Sequence, residues 1–145
     1  MKVGIFPMAA DLLHSGHITA LEEAKKNCDY LIVGLNCCPH SGVSNKNRPT
    51  QSVFERYNQL RAVKYVDEIV PYENEEDLIK FLGSTKYDIR FLGEDHKDKP
   101  WTGDDMETAR GIKPFFLSRQ YHGLSSTELR GRIYEAELKR RTNEC

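Results

Sequence analysis

The sequence predicts an α/β chain: a doubly wound, mainly parallel five-stranded sheet with helices on both faces. Three observations predict it. Short apolar runs recur at intervals of roughly 20–30 residues, the spacing of strand–helix–strand units. Between them the apolar residues change to a helical period. The second run, Tyr30-Leu31-Ile32-Val33-Gly34-Leu35, is apolar almost throughout, as a strand covered on both faces must be.

The elements follow in order. Val3, Ile5 and Phe6 make the first strand, and Ile18, Leu21 and Ala24 share one face of the helix after it. The second strand leads into a polar stretch rich in Ser, Asn, Gly and Pro, from Cys38 to Pro49. Ser52-Val53-Phe54-Glu55 fits a capping box, opening a helix expected to carry Phe54, Tyr57, Leu60, Ala62 and Val63. Residues 68–72 form a third strand. Asn74-Glu75-Glu76-Asp77 opens a helix with its acidic residues where the dipole favours them, and Gly83 is expected to end it. Residues 89–93 form a fourth strand. Residues 96–113 are polar and contain Trp101, so they are expected to be a long loop covering the site. Residues 113–117 form the fifth strand, and Ser125-Ser126-Thr127 opens the last helix.

At 145 residues the chain is expected to be a single domain, 1–145, large enough for one buried core. Its 21 basic and 22 acidic residues leave a net charge of −1, which argues against a nucleic-acid partner. No apolar run approaches the length of a membrane helix and no signal-peptide pattern opens the chain, so a cytoplasmic location is expected. Cys28, Cys37, Cys38 and Cys145 include no Cys-x-x-Cys pair, so reduced thiols are expected and no metal site is assigned to them.

The chain is organised around Asp11-Leu12-Leu13-His14-Ser15-Gly16-His17. Its two histidines fall at a strand-to-helix turn. Free backbone N–H groups and the helix dipole there favour phosphate, and Gly16 allows a close approach. In a doubly wound sheet, ligands bind beyond the carboxyl ends of the strands where the strand order reverses. The same edge collects Gly93-Glu94-Asp95 and residues 119–127.

Four segments read together carry a resemblance: Asp11 to His17, Glu55-Arg56, Lys64-Tyr65-Val66-Asp67-Glu68-Ile69-Val70-Pro71, and Leu124-Ser125-Ser126-Thr127. Their order resembles that of glycerol-3-phosphate cytidylyltransferases, within the His-x-Gly-His nucleotidyltransferase superfamily and its Rossmann-like fold. Gly93-Glu94-Asp95 is similar to the family's Gly-Asp-Asp segment. The resemblance implies transfer of CMP from CTP to a small phosphorylated alcohol, with glycerol 3-phosphate favoured, and release of pyrophosphate. It implies no covalent enzyme intermediate. His14, His17 and Lys46 are the implied catalytic residues. Ala9, Ala10, Gly16, Gly93, Glu94, Asp95, Arg119, Ser125, Ser126 and Thr127 are implied on the nucleotide, and Asp11, Arg48, Arg56 and Lys64 on the acceptor. Mg²⁺ is expected with the triphosphate, which holds it through one or two oxygens and several waters. A homodimer is implied, with the Arg56–Lys64 region near the contact. Three departures stand out: Met8-Ala9-Ala10 replaces Gly-Thr-Phe before the Asp, Cys38 replaces an acidic residue, and His96 replaces a Trp. The alternatives are ATP or another acceptor such as phosphoethanolamine on the same fold, or a nucleotide-binding protein without catalysis.

Overall fold

The structure, a computed structural model, describes residues 1–40, 48–118 and 125–142. In chain order it contains β1 (Val3–Met8), α1 (Ser15–Lys26), β2 (Tyr30–Asn36), α2 (Val53–Leu60), β3 (Glu68–Tyr72) and α3 (Glu75–Ser84). It continues through β4 (Ile89–Gly93), a 3-10 turn (Glu94–His96), α4 (Asp104–Ala109), β5 (Lys113–Leu117) and α5 (Ser126–Arg141). The five strands pair in parallel in the order β3-β2-β1-β4-β5. The order reverses between β1 and β4, which opens a crevice beyond the carboxyl ends of those two strands.

Alternation along the strands divides the core into two layers. Phe6, Leu31, Val33, Leu35, Phe91 and Leu117 pack on one face against Leu21 and Ala24 of α1 and Leu60 of α2. Ile5, Ile32 and Tyr72 pack on the other with Leu78 and Leu82 of α3, and Met106 of α4 rests on that cluster. Helices thus cover both faces, as the all-parallel sheet requires. Helix α5 differs from the rest: none of its residues is buried, and Ile133, Tyr134 and Leu138 are exposed.

Three element boundaries depart from expectation. Helix α2 stops at Leu60, and Ala62 and Val63 belong to a turn closed by bonds to Gln59 and Leu60 carbonyls. Val63 still packs on the core, which explains its place in the apolar pattern. Gly83 lies within α3, whose C-cap is Thr85. The stretch expected to be a covering loop is instead built: it starts at the end of the 3-10 turn and contains α4, with Trp101 tied to the buried carboxylate of Glu107. Composition concealed this because the stretch is held by polar groups turned inward.

Gly4 of β1 lies against the ring of Phe91. A Cβ built there would sit 2.3 Å from Phe91 Cε2 and 3.2 Å from the Cys28 sulfur. Gly4→Ala is therefore expected to destabilise the fold by ~1–3 kcal/mol through overpacking, measured as a lower midpoint in urea.

Candidate active site

The turn from β1 into α1 is the least ordinary backbone among the described residues. Ala10 and Leu12 both take left-handed conformations, with φ of 55° and 52°. Each costs roughly 1–2 kcal/mol in an L-residue, so the surroundings must hold the turn. Leu12 N–H donates to Gln51 Oε1 at 2.8 Å. The Asp11 carboxylate, 7% exposed, accepts from Thr50 N–H and Gln51 N–H, both at 2.9 Å. Arg56, 1% exposed, donates to the carbonyls of Ala9, Asn36, Cys37 and Gln51. One guanidinium therefore joins the ends of β1 and β2 to the start of α2.

This turn delivers both histidines. His14 is the N-cap of α1, and its Nδ1 accepts from Gly16 N–H at 3.0 Å. His17 Nδ1 accepts from His14 N–H at 3.2 Å. The rings lie together, with centroids 3.9 Å apart and 32° between planes. Because both Nδ1 atoms accept from backbone donors, each neutral ring carries its proton on Nε2. The His14 Nε2 is 3.5 Å from Ser126 Oγ. The first turn of α1 has no acidic side chain to oppose its dipole, and Gly16 is buried there.

A second helix N-terminus meets the first. Ser125 caps α5 by accepting from Glu128 N–H, and Ser126 Oγ–H donates to the Asp11 carbonyl at 2.9 Å. Arg130, one turn along α5, reaches Asp11 Oδ2 at 3.4 Å. Beyond the strand ends these elements enclose a cleft of about 720 Å³, within the range of small-molecule sites. Its walls include Ala9, Ala10, Asp11, His14, Gly16, His17, Gly93, Asp95, Ser125, Ser126, Thr127 and Arg130. It continues to the opposite sheet face, where Tyr72, Arg90, Trp101 and Thr102 line it. Burial first, then Glu75, pushes the Tyr72 hydroxyl far above the usual phenol range, with Arg90 opposing.

Residues 5–132 match the cytidylyltransferase-like family. The chain belongs to that family. Its relatives differ in name and size. It is 38% identical over 114 residues to an FAD synthase of Ferroglobus placidus, covering 78% of this chain and 72% of that one. It is 33% identical over 134 residues to a bifunctional protein HldE of Caulobacter sp. strain K31, covering 92% of this chain and 27% of the relative. An ethanolamine-phosphate cytidylyltransferase of Arabidopsis thaliana is 32% identical over 128 residues, with 85% and 30% covered. The chain thus spans under a third of the last two. A lipopolysaccharide core biosynthesis protein of Thermoplasma volcanium has a similar structure, with TM-score 0.63, 26% identity and coverage of 81% and 95%. A pantothenate synthetase of Thermus thermophilus shares the fold at TM-score 0.63 and 14% identity, with 89% and 61% covered. The chain is therefore nucleotidyltransferase-like.

The expected site residues take several different places in the structure. Arg56 is consumed by backbone carbonyls and buried, so it is a brace. Asp11 lines the cleft, yet its carboxylate is committed to two backbone amides and Arg130. Lys64 does not line the cleft; its ammonium lies 5.3 Å from the Tyr65 ring centroid. Arg48 is exposed, and neither it nor Glu94 is among the lining residues. Lys46 and Arg119 lie outside the described residues. Of the serines and threonine, Ser125 caps and Ser126 braces, while Thr127 Oγ1 accepts from Arg130 at 3.3 Å. Sequence reasoning passed over Arg130, whose signal was its spacing of four from Ser126, the same helix face.

Removing the brace leaves four carbonyls without their donor. Arg56→Ala is expected to cost ~3 kcal/mol of unfolding free energy in a urea titration. A loss below about 1 kcal/mol would show that water replaces the guanidinium at little cost.

Proposed function

We propose that the chain transfers a cytidylyl group from CTP to a small phosphorylated alcohol, glycerol 3-phosphate above all, with release of pyrophosphate. The observation that carries this reading is the placement of His14 and His17 at the start of α1, where the Nδ1 atoms of both lie within hydrogen-bond distance of backbone N–H groups. That arrangement keeps an Nε2–H donor on each of two adjacent, tilted rings lining the cleft.

The chemistry asks little else of the protein. A phosphate monoester has its second pKa near 6, so the acceptor oxygen is already deprotonated near neutrality and needs no base. That oxygen attacks the α-phosphorus in line, the bond to the β-phosphate oxygen breaks, and pyrophosphate carries away the electron pair. Negative charge grows on the α-phosphate oxygens, where the two Nε2–H groups donate. The N-termini of α1 and α5 favour the remaining phosphates. Mg²⁺ comes with the triphosphate, held by its oxygens and water, and Asp95 offers a nearby carboxylate at the cleft.

CTP is favoured by the sequence similarity of Lys64–Glu68 and of the segment from Arg119 to Thr127 to cytidylyltransferases, and by the Arabidopsis relative. A second reading, with ATP, is supported by the FAD synthase relative, of which the chain covers 72%. Calorimetric titration with each nucleotide decides between them: tighter CTP is expected, and tighter ATP overturns the base assignment. A homodimer is proposed from the resemblance, and Phe54 of α2, 74% exposed, suits a contact there. Light scattering is expected to give twice 16.7 kDa at micromolar concentration, and 16.7 kDa would remove the dimer.

His17→Ala is expected to lower kcat for pyrophosphate release by roughly 10²–10³, with nucleotide affinity little changed. Wild-type turnover in the folded variant would sink the assignment.

A further inference from the structure

On the sheet face away from the histidines, the cleft ends among side chains that neither the triphosphate nor the transfer step uses. Arg90 of β4 lines this lobe although it is only 4% exposed. Both of its hydrogen bonds leave from Nη1, to the Thr102 carbonyl at 3.0 Å and to Glu107 Oε2 at 3.1 Å. Its Nε is buried and has no partner among the described residues. A buried donor without an acceptor is costly, and it calls for an explanation.

Glu107 is the group that holds this wall. It is 2% exposed, and both carboxylate oxygens are in use. Oε2 accepts from the Tyr87 hydroxyl at 2.5 Å and from Arg90, while Oε1 accepts from Trp101 Nε1–H at 2.9 Å. The chain turns into α4 through Gly103, at φ 90°, where a Cβ would meet Leu82 Cδ1 at 2.8 Å. Glu107 N–H then bonds the Gly103 carbonyl at 2.9 Å, so the backbone that carries the carboxylate is held as well. The indole of Trp101 is fixed on its other side by an edge contact with Phe116, at 5.8 Å between centroids.

We propose that Glu107 is a positioning residue that aims Arg90 and Trp101 into this lobe, and that the lobe takes the end of the acceptor remote from its reacting phosphate when that end carries hydroxyl oxygen. The proposal rests on the nucleotidyl-transfer reading above. Guanidinium has donors and no acceptor, so the edge of Arg90 that meets the lobe is satisfied by oxygen lone pairs; because Glu107 already balances its charge and Glu75 also lines the cleft, the oxygen that suits it is a neutral hydroxyl's. The indole supplies a flat wall against which a short carbon chain packs. Burying an Arg–Glu pair contributes little net stability compared with apolar side chains of similar size, so stability alone gives weak reason for placing one beside a cleft.

The test separates positioning from mere structure. Wild type, Glu107→Gln and Arg90→Lys are assayed for pyrophosphate release with glycerol 3-phosphate and with phosphoethanolamine, and CTP and ATP affinities are measured by calorimetry. Both variants are expected to raise KM for glycerol 3-phosphate about tenfold or more while nucleotide affinity stays within about twofold. KM for phosphoethanolamine is expected to change less, so discrimination between the two acceptors shrinks. If Glu107→Gln does not fold, Trp101→Phe removes one donor to the carboxylate and keeps a ring, and a smaller rise of the same kind is expected. An unchanged glycerol 3-phosphate KM in folded variants overturns the proposal and leaves the transferase reading standing. Wild-type protein that releases no pyrophosphate with either acceptor and either nucleotide removes the transferase reading, and this proposal falls with it.

Discussion

The cleft depends on the buried guanidinium of Arg56. Arg56 is held by the second helix yet bonds the carbonyls of Ala9, Asn36 and Cys37 at the ends of β1 and β2. Backbone carbonyls buried without a donor are expensive, and two strands end side by side here. Guanidinium suits the task because it spreads several donors across a plane and cannot lose its proton. Asp11 performs the complementary task for backbone N–H groups at residues 50 and 51. Between them, the two charges hold a turn that contains two left-handed non-glycine residues.

Because that turn is held, two helices can begin at one place. His14 caps α1, and Ser126 at the start of α5 bonds the Asp11 carbonyl one turn of chain earlier. Each N-terminus contributes partial positive charge and unpaired N–H groups. Placed together at the strand-order reversal, they make a cleft suited to anions in a chain whose net charge is only −1. The field is local, built by backbone orientation, and invisible to any count of charged residues.

Most of the fold was legible in the sequence because parallel strands buried on both faces leave long apolar runs, and all five strands fall where those runs lie. The capping box at Ser52 and Glu55 forms as its spacing predicts. What the sequence concealed was the direction in which charged side chains point. Arg56 and Asp11 sit in motif positions that invite a ligand role, yet burial turns both toward the backbone. Residues 96–113 are polar in composition, and polar composition ordinarily means solvent. Here Glu107 accepts from both Arg90 and Trp101 inside, and a helix forms where a loop was expected. No periodicity signals a side-chain network of that kind. Lys46 and Arg119, expected near the phosphates, lie outside the described residues.

The two halves of the cleft are built from different materials, and this bears on how one fold serves relatives of such different names. The phosphate end is formed by helix N-termini, a braced turn and two imidazoles whose orientation is set by backbone N–H donors. Most substitutions leave backbone groups in place, so this end persists wherever the turn itself folds. The far end is formed by side chains of β3, β4 and the segment before α4, where one substitution changes shape, charge and hydrogen bonding together. A nucleotidyl transfer needs its triphosphate held the same way whatever the acceptor, while the acceptor's remote end is free to differ. The family match over residues 5–132 alongside relatives at 32–38% identity accords with that division. On the proposed reading, acceptor specificity accordingly belongs with Tyr72, Arg90, Trp101 and the carboxylate of Glu107 behind them, and the transfer with the turn that Arg56 and Asp11 hold.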